Sequence, residues 1–174
     1  TNIEEEVKIT DEKVISPGIS LKQKDKNTDI IRISYDSPKT PSRTFEYNIR
    51  TKEKKLVKEQ IVPSGHNRDD YIVERLNCES HDGRQIPMTI TYHKDTLLDG
   101  SAHVLLYGYG SYGMSMGPSF SSTRLSLINR NIIWVTCHIR GGMERGMRWW
   151  KEGKMLNKKN TFADFISCAK FLIE

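Results

Sequence analysis

The second half of this sequence predicts an α/β fold, and three observations carry that reading. An apolar, β-prone run at 103–107 (His103, Val104, Leu105, Leu106, Tyr107) stops at a loop with glycines at 108, 110 and 113. A second apolar run, 132–138, follows one helix-length later, and strand, helix, strand at this spacing implies a right-handed parallel crossover. Phe162, Phe165, Ile166, Ala169 and Leu172 then follow helical spacing, with Thr161 and Asp164 fitting a capping box that would begin a helix at Thr161. A parallel strand covered on both faces need not alternate, so 103–107 is expected to be buried. Ligands gather at the carboxyl ends of strands in open α/β sheets, which makes 108–113 the first candidate for a working surface.

In chain order, residues 1–66 read as polar and β-rich. Short runs at 19–23, 29–35, 43–49 and 55–62 alternate with Lys-Asp-Lys-Asn, Ser-Pro-Lys-Thr-Pro-Ser and Arg-Thr-Lys-Glu turns. A spacing of about 8 to 12 residues is that of an antiparallel meander. Four such strands make one propeller blade, and they equally make many other sheets. The stretch 62–70, rich in Pro, Gly and charge, marks a boundary. Runs at 71–79 and 85–92 then flank His81-Asp82-Gly83-Arg84, and Asp-Gly between two β-rich runs predicts a hairpin. Residues 120–131, with Phe120, Leu125 and Ile128 on one face and Arg124 and Arg130 among them, predict the crossover helix.

Composition narrows the function classes. The chain has 174 residues, 36% hydrophobic and 28% charged, and no apolar run reaches the roughly 18 to 20 residues of a membrane span. No membrane partner is expected. The net charge of +5 comes from Lys and Arg spread among 22 carboxylates, which describes a solvated surface rather than a phosphate-binding stripe, so no nucleic acid is expected either. The start, Thr-Asn-Ile-Glu-Glu-Glu, has neither the basic opening nor the apolar core of a signal peptide, and it lacks Met. The expectation is a cytoplasmic protein of which this chain is a segment. Cys78, Cys137 and Cys168 are far apart and odd in number, which points to reduced thiols rather than a disulfide framework or a zinc cluster.

The chemical candidates are few. Gly113-Met-Ser-Met-Gly117 is a literal nucleophile-elbow pattern centred on Ser115, but an elbow needs a strand immediately before and a helix immediately after. Neither is expected there, so Ser115 reads as a decoy. A small esterase using Ser115 is the rival enzyme, and a non-catalytic truncated remnant is the non-enzymatic alternative. Of five histidines, His138 at the end of an apolar strand is the best placed, with packing in the core its commoner role. No His-Glu-x-x-His, acidic metal cluster or phosphate-binding loop is present, so neither metal nor cofactor is called for. Tyr109, between two glycines, offers a phenol that donates a hydrogen bond to a developing oxyanion, or else a plain rim tyrosine.

Four stretches together carry more information than any of these alone. Leu105-Leu-Tyr-Gly-Tyr-Gly-Ser-Tyr-Gly113, Phe120-Ser-Ser-Thr-Arg-Leu-Ser-Leu127, His138-Ile-Arg-Gly-Gly142 with Glu144 and Gly146, and Lys158-Lys-Asn-Thr-Phe-Ala-Asp-Phe165 resemble, in order and spacing, the prolyl oligopeptidase family. The Gly-Ser-Tyr-Gly ending and the Lys-Lys-Asn-Thr-Phe run look most like its oligopeptidase B (protease II) branch. The resemblance implies the last strands of a β-propeller at 1–66 and the opening of an α/β-hydrolase domain at 67–174, in a serine peptidase that cleaves short peptides after Lys or Arg. It implies that Tyr109 completes the oxyanion hole and Tyr112 lines the primary specificity pocket. The turn at 140–146 would be mainly structural. The serine elbow, and the Asp and His of the triad, would lie in the remaining portion of the same peptidase, leaving this segment inactive alone. At Met143 the family has a third glycine, and a positive φ there would strain methionine. Residues 116–119 carry no acid, so any attraction for basic substrates would come from elsewhere.

Overall fold

The computed structural model describes residues 18–22, 27–117 and 119–174, and places their strands in two separate four-stranded sheets. The first is an antiparallel meander, β1 (Gly18–Lys22), β2 (Ile30–Ser37), β3 (Thr40–Asn48) and β4 (Lys54–Glu59), in sequence order. All four expected runs are present, shifted by one to three residues at their ends; residue 23 and most of the Lys-Asp-Lys-Asn turn lie outside the described residues. Alternation in β2 points Ile33, Tyr35 and Ser37 inward, whereas every residue of β4 is exposed.

The second sheet is mixed. Strand β5 (Tyr71–Glu79) pairs with β6 (Gln85–His93) in the expected hairpin, register Tyr71 with His93 and Glu79 with Gln85. Its turn spans residues 80–84, closed by the Ser80 amide donating to the Arg84 carbonyl (2.8 Å), with Gly83 at φ +79°. Strands β7 (His103–Tyr107) and β8 (Ile132–Cys137) pair in parallel across the helix α1 (Ser122–Ile128), and β8 pairs antiparallel with β6, giving the order β5-β6-β8-β7. Ser121 caps α1, its hydroxyl accepting from the Arg124 amide. Two further helices follow, α2 (Met147–Lys151) and α3 (Lys158–Ile173).

The core sits around β6, where Ile86, Met88 and Val135 of neighbouring β8 are sealed from water, and α3 closes one side through Cys168. Strand β7 overturns the expectation of two-sided burial: it is an edge, with Val104 and Tyr107 exposed and its far side unpaired among the described strands. A non-alternating apolar run reads the same whether its second neighbour is in view or not, which is why sequence alone misjudged it. Helix α3 corrects a second expectation. It begins at Lys158, three residues before the inferred cap, so Thr161 and Asp164 lie inside it and face the interior.

Candidate active site

The loop after β7 is shaped by what it is pressed against. Gly110 is buried at φ +60°, and a Cβ there would lie 2.5 Å from the Thr161 methyl and 2.8 Å from Ile139. Only glycine fits. Facing it, Gly141 (φ +102°) brings its Cα so close to the Gly110 carbonyl that a Cβ would sit 2.0 Å from that oxygen. The Gly113 amide donates to the Gly141 carbonyl (2.9 Å) and the Met114 amide to the Ser111 carbonyl (3.0 Å), so 110–114 is locked onto the 140–142 turn. The Lys158 ammonium, on the first turn of α3, donates to the Gly110 carbonyl (2.5 Å) and the Ser111 hydroxyl (2.7 Å). Burial lowers the Lys158 pKa from its ordinary value.

Both tyrosines project from this locked backbone. Tyr109 is 41% exposed and Tyr112 is 87% exposed. Tyr112 also holds φ +54°, a left-handed conformation uncommon for a bulky residue and of the kind that collects at ligand sites. Its ring forms one wall of a cavity of about 550 Å³ shared with Ser111, Trp150, Lys154, Met155 and Lys158. Met155, at φ +49°, is a second left-handed residue in the same wall, and the Lys154 ammonium stands 3.6 Å over the Trp150 ring. The cavity therefore combines aromatic rings with two ammonium groups and, among the described residues, no carboxylate.

Beneath the loop lies a buried charge network. Arg140 (1% exposed) donates through Nε and Nη2 to Asp164 (2.9 and 2.6 Å) and through Nη1 and Nη2 to Asp82 (2.6 and 3.1 Å). Asp164 (0% exposed) also accepts from the Arg140 amide (3.0 Å) and the Ser80 hydroxyl (2.6 Å). Burial works to lower the Arg140 pKa, but its bonds to Asp164 and Asp82 outweigh that and raise it. Those bonds hold the Asp82 carboxyl below its ordinary value. Thr161 finishes the frame by donating to the Arg140 and Gly153 carbonyls (2.7 and 3.2 Å). A fully hydrogen-bonded bidentate arrangement of this kind makes a buried ion pair tolerable, and it fixes where the 140–142 turn stands.

The other candidates fall away from this centre. Ser115 is exposed in irregular backbone between Tyr107, where β7 ends, and Ser122, where α1 begins, so it lacks an elbow's strand and helix. His138 is packed in the core, its Nε2 2.8 Å from the Thr89 hydroxyl and its Nδ1 3.8 Å from Glu144, which in turn accepts from the Met116 amide (2.9 Å). Met143 keeps a negative φ; the left-handed positions of the turn fall on Gly141 and Gly146, so the expected strain does not arise. The three thiols are buried, Cys78 and Cys168 with Sγ atoms 3.3 Å apart, and burial pushes the Cys78 pKa up to about 12, far from that of a nucleophile.

Residues 118–174 match the prolyl oligopeptidase family. Along its length the chain is 44% identical to dipeptidyl aminopeptidase BI of Pseudoxanthomonas mexicana, over 94% of this chain and 22% of that protein. It is 40% identical to protease 2 of Moraxella lacunata, over 88% of this chain and again 22% of the relative. Among solved structures, oligopeptidase B from Leishmania major superposes with a TM-score of 0.83 at 36% identity, covering 95% of this chain and 23% of that one. Oligopeptidase B from Trypanosoma brucei, in a closed form with covalently bound antipain, gives 0.85 at 34% identity, covering 94% and 23%. Sheet order, glycine loop and these superpositions define the class: the opening part of an α/β-hydrolase domain preceded by the last strands of a β-propeller. Along its length the chain is similar to members of the prolyl oligopeptidase family, and it spans about 22% of the length of the curated relatives it matches.

Sequence reasoning picked out both tyrosines and missed what holds them. In the sequence Asp164 reads as a capping residue, Asp82 as part of a hairpin turn, and Arg140 and Lys158 as parts of motifs, with none of them linked to the tyrosines. One signal was available: Asp164 shares the 161, 165, 168 stripe of α3, the face that turns inward.

Proposed function

We propose that this chain is a middle segment of an oligopeptidase B-like serine peptidase, whose full protein hydrolyses short peptides after Lys or Arg by acyl transfer in the cytoplasm. Residues 1–66 supply the closing strands of the propeller and 67–174 open the catalytic domain. The rest of the peptidase covers the open edge of β7 and brings the Ser, His and Asp triad. When the serine oxygen adds to the scissile carbonyl, its proton passes to the triad histidine, the π electrons move onto the carbonyl oxygen, and the Tyr109 phenol donates a hydrogen bond to that oxyanion. The ring of Tyr112 packs against the stem of the substrate side chain. With Lys154 and Lys158 in the neighbouring cavity and no carboxylate there among the described residues, the counter-charge for a basic side chain belongs to the rest of the protein.

The observation that carries this reading is an exposed phenol on an otherwise immobilised glycine turn at the carboxyl end of a parallel strand. A donor fixed before charge develops costs no reorganisation when it does. In the full protein, Tyr109→Phe is expected to lower kcat on the order of 10²-fold with KM little changed, the signature of an interaction made only in the transition state. An unaltered kcat removes Tyr109 from the mechanism. The isolated chain is expected not to turn over an Arg-containing chromogenic peptide; turnover would contradict the placement of the triad elsewhere.

A further inference from the structure

We infer that Lys158 is a positioning residue for the oxyanion donor, its ammonium group fixing the peptide backbone immediately after Tyr109. The inference rests on the proposed role of Tyr109. Three observations lead to it. First, the two acceptors of Lys158 are the Gly110 carbonyl and the Ser111 hydroxyl, the groups that separate Tyr109 from Tyr112. Second, the residue is tightly enclosed: Gly141 packs so closely on the Gly110 carbonyl that a Cβ there would meet the oxygen, and Thr161, Ile139 and the Arg140 carbonyl crowd the Cα of Gly110. Third, Lys158 stands where a cation is disfavoured. The first turn of a helix carries partial positive charge, and the group is also partly desolvated, which lowers its pKa. A lysine that meets both costs is compensated by what it touches.

Lys158 is itself held in place from below. One turn further along α3, Thr161 donates to the Arg140 and Gly153 carbonyls, and Asp164 grips the Arg140 side chain and amide. Rigidity thus passes from the Arg140 network through α3 to Lys158 and on to the backbone that carries the phenol. Tyr112 has a separate anchor, the Gly113 amide bonded to the Gly141 carbonyl, so losing the ammonium loosens the oxyanion donor more than the substrate contact. Displacements near 1 Å at a catalytic donor cost up to about 10²-fold in rate.

The test is a double-mutant cycle in the full-length peptidase with a chromogenic peptide substrate: wild type, Tyr109→Phe, Lys158→Met and the double variant, with Lys158→Arg as the conservative control. Lys158→Met is expected to lower kcat by about tenfold or more with KM within about twofold, and Lys158→Arg to recover most of the loss. In the Tyr109→Phe background the same substitution is expected to cost less than about twofold, because the group it positions is already gone. Lys158→Gln, a neutral donor on a shorter stem, is expected to reproduce the kcat loss and serves if the methionine variant does not fold. Equal costs in both backgrounds, or a change in KM alone, would overturn the inference while leaving Tyr109 in place. An indifferent Tyr109→Phe would overturn both.

Discussion

The two sheets solve the same problem by different means. The first carries its ion pairs at the surface: Arg32 with Glu46 (2.8 Å) and Arg43 with Glu59 (2.7 Å) across neighbouring strands, and Arg50 with Asp29 (2.8 Å) just beyond their ends. The second sheet and the helix packed on it bury their principal charges, with Arg140 joining β8's carboxyl end to α3 and to the β5–β6 turn. Exposed pairs are worth about 0 to 1 kcal/mol and tolerate movement. Buried bidentate pairs stabilise no better than apolar packing would, but they admit only one arrangement. The difference shows what each region is built for: the first needs to be a surface, the second needs to keep a loop still.

Substitutions can break that contrast, beginning with the largest effect. Asp164→Ala takes from the Arg140 guanidinium its one fully buried carboxylate, leaving Asp82 and, at 3.9 Å, Glu152, and is expected to cost about 3 to 5 kcal/mol in denaturant unfolding of the full protein; a loss below about 1 kcal/mol would make the network ornamental. Gly141→Ala places a methyl group on the Gly110 carbonyl and forces a strained φ. It is expected to lower kcat by about 10²-fold through displacement of the Tyr109 loop, with wild-type turnover as the contrary result.

A smaller effect is expected with pH. Hydrogen bonds from Arg140 depress the Asp82 pKa below 3.8, against the raising effect of burial, so its contribution is complete above the unfolded value and fades as pH falls through the folded one. Asp82 is about a third open to water, so Asp82→Asn is expected to cost no more than about 1 kcal/mol at neutral pH. The gap between its stability curve and that of the wild type should narrow as pH falls through the acidic range, and a gap that stays constant there would contradict the linkage. Smallest of all, Arg32→Ala on the first sheet is expected to shift stability by less than about 1 kcal/mol, and less still in high salt. A large loss there would erase the contrast between the sheets.

Legibility in the sequence followed the same division. Strands announced by local pattern were found to the residue at 71–79 and 103–107, because β-branched and aromatic runs bounded by turn residues need nothing from afar. What depended on distant partners was lost. The burial of β7 depends on which strands flank it, and the capping box at Thr161 was a local pattern overruled by Arg140, 21 to 24 residues away. Tyr109 and Tyr112 were visible as rings among glycines. Lys158 was not, since its two bonds span 47 and 48 residues and nothing local distinguishes it from Lys159.

The most direct measurement is the structure of the full-length protein with a peptide aldehyde bound as a hemiacetal on the proposed nucleophilic serine. The Tyr109 hydroxyl is expected within about 2.7 to 3.1 Å of the hemiacetal oxygen, with the 110–114 backbone unmoved. A hydroxyl turned away, with that oxygen held by other donors, would contradict it.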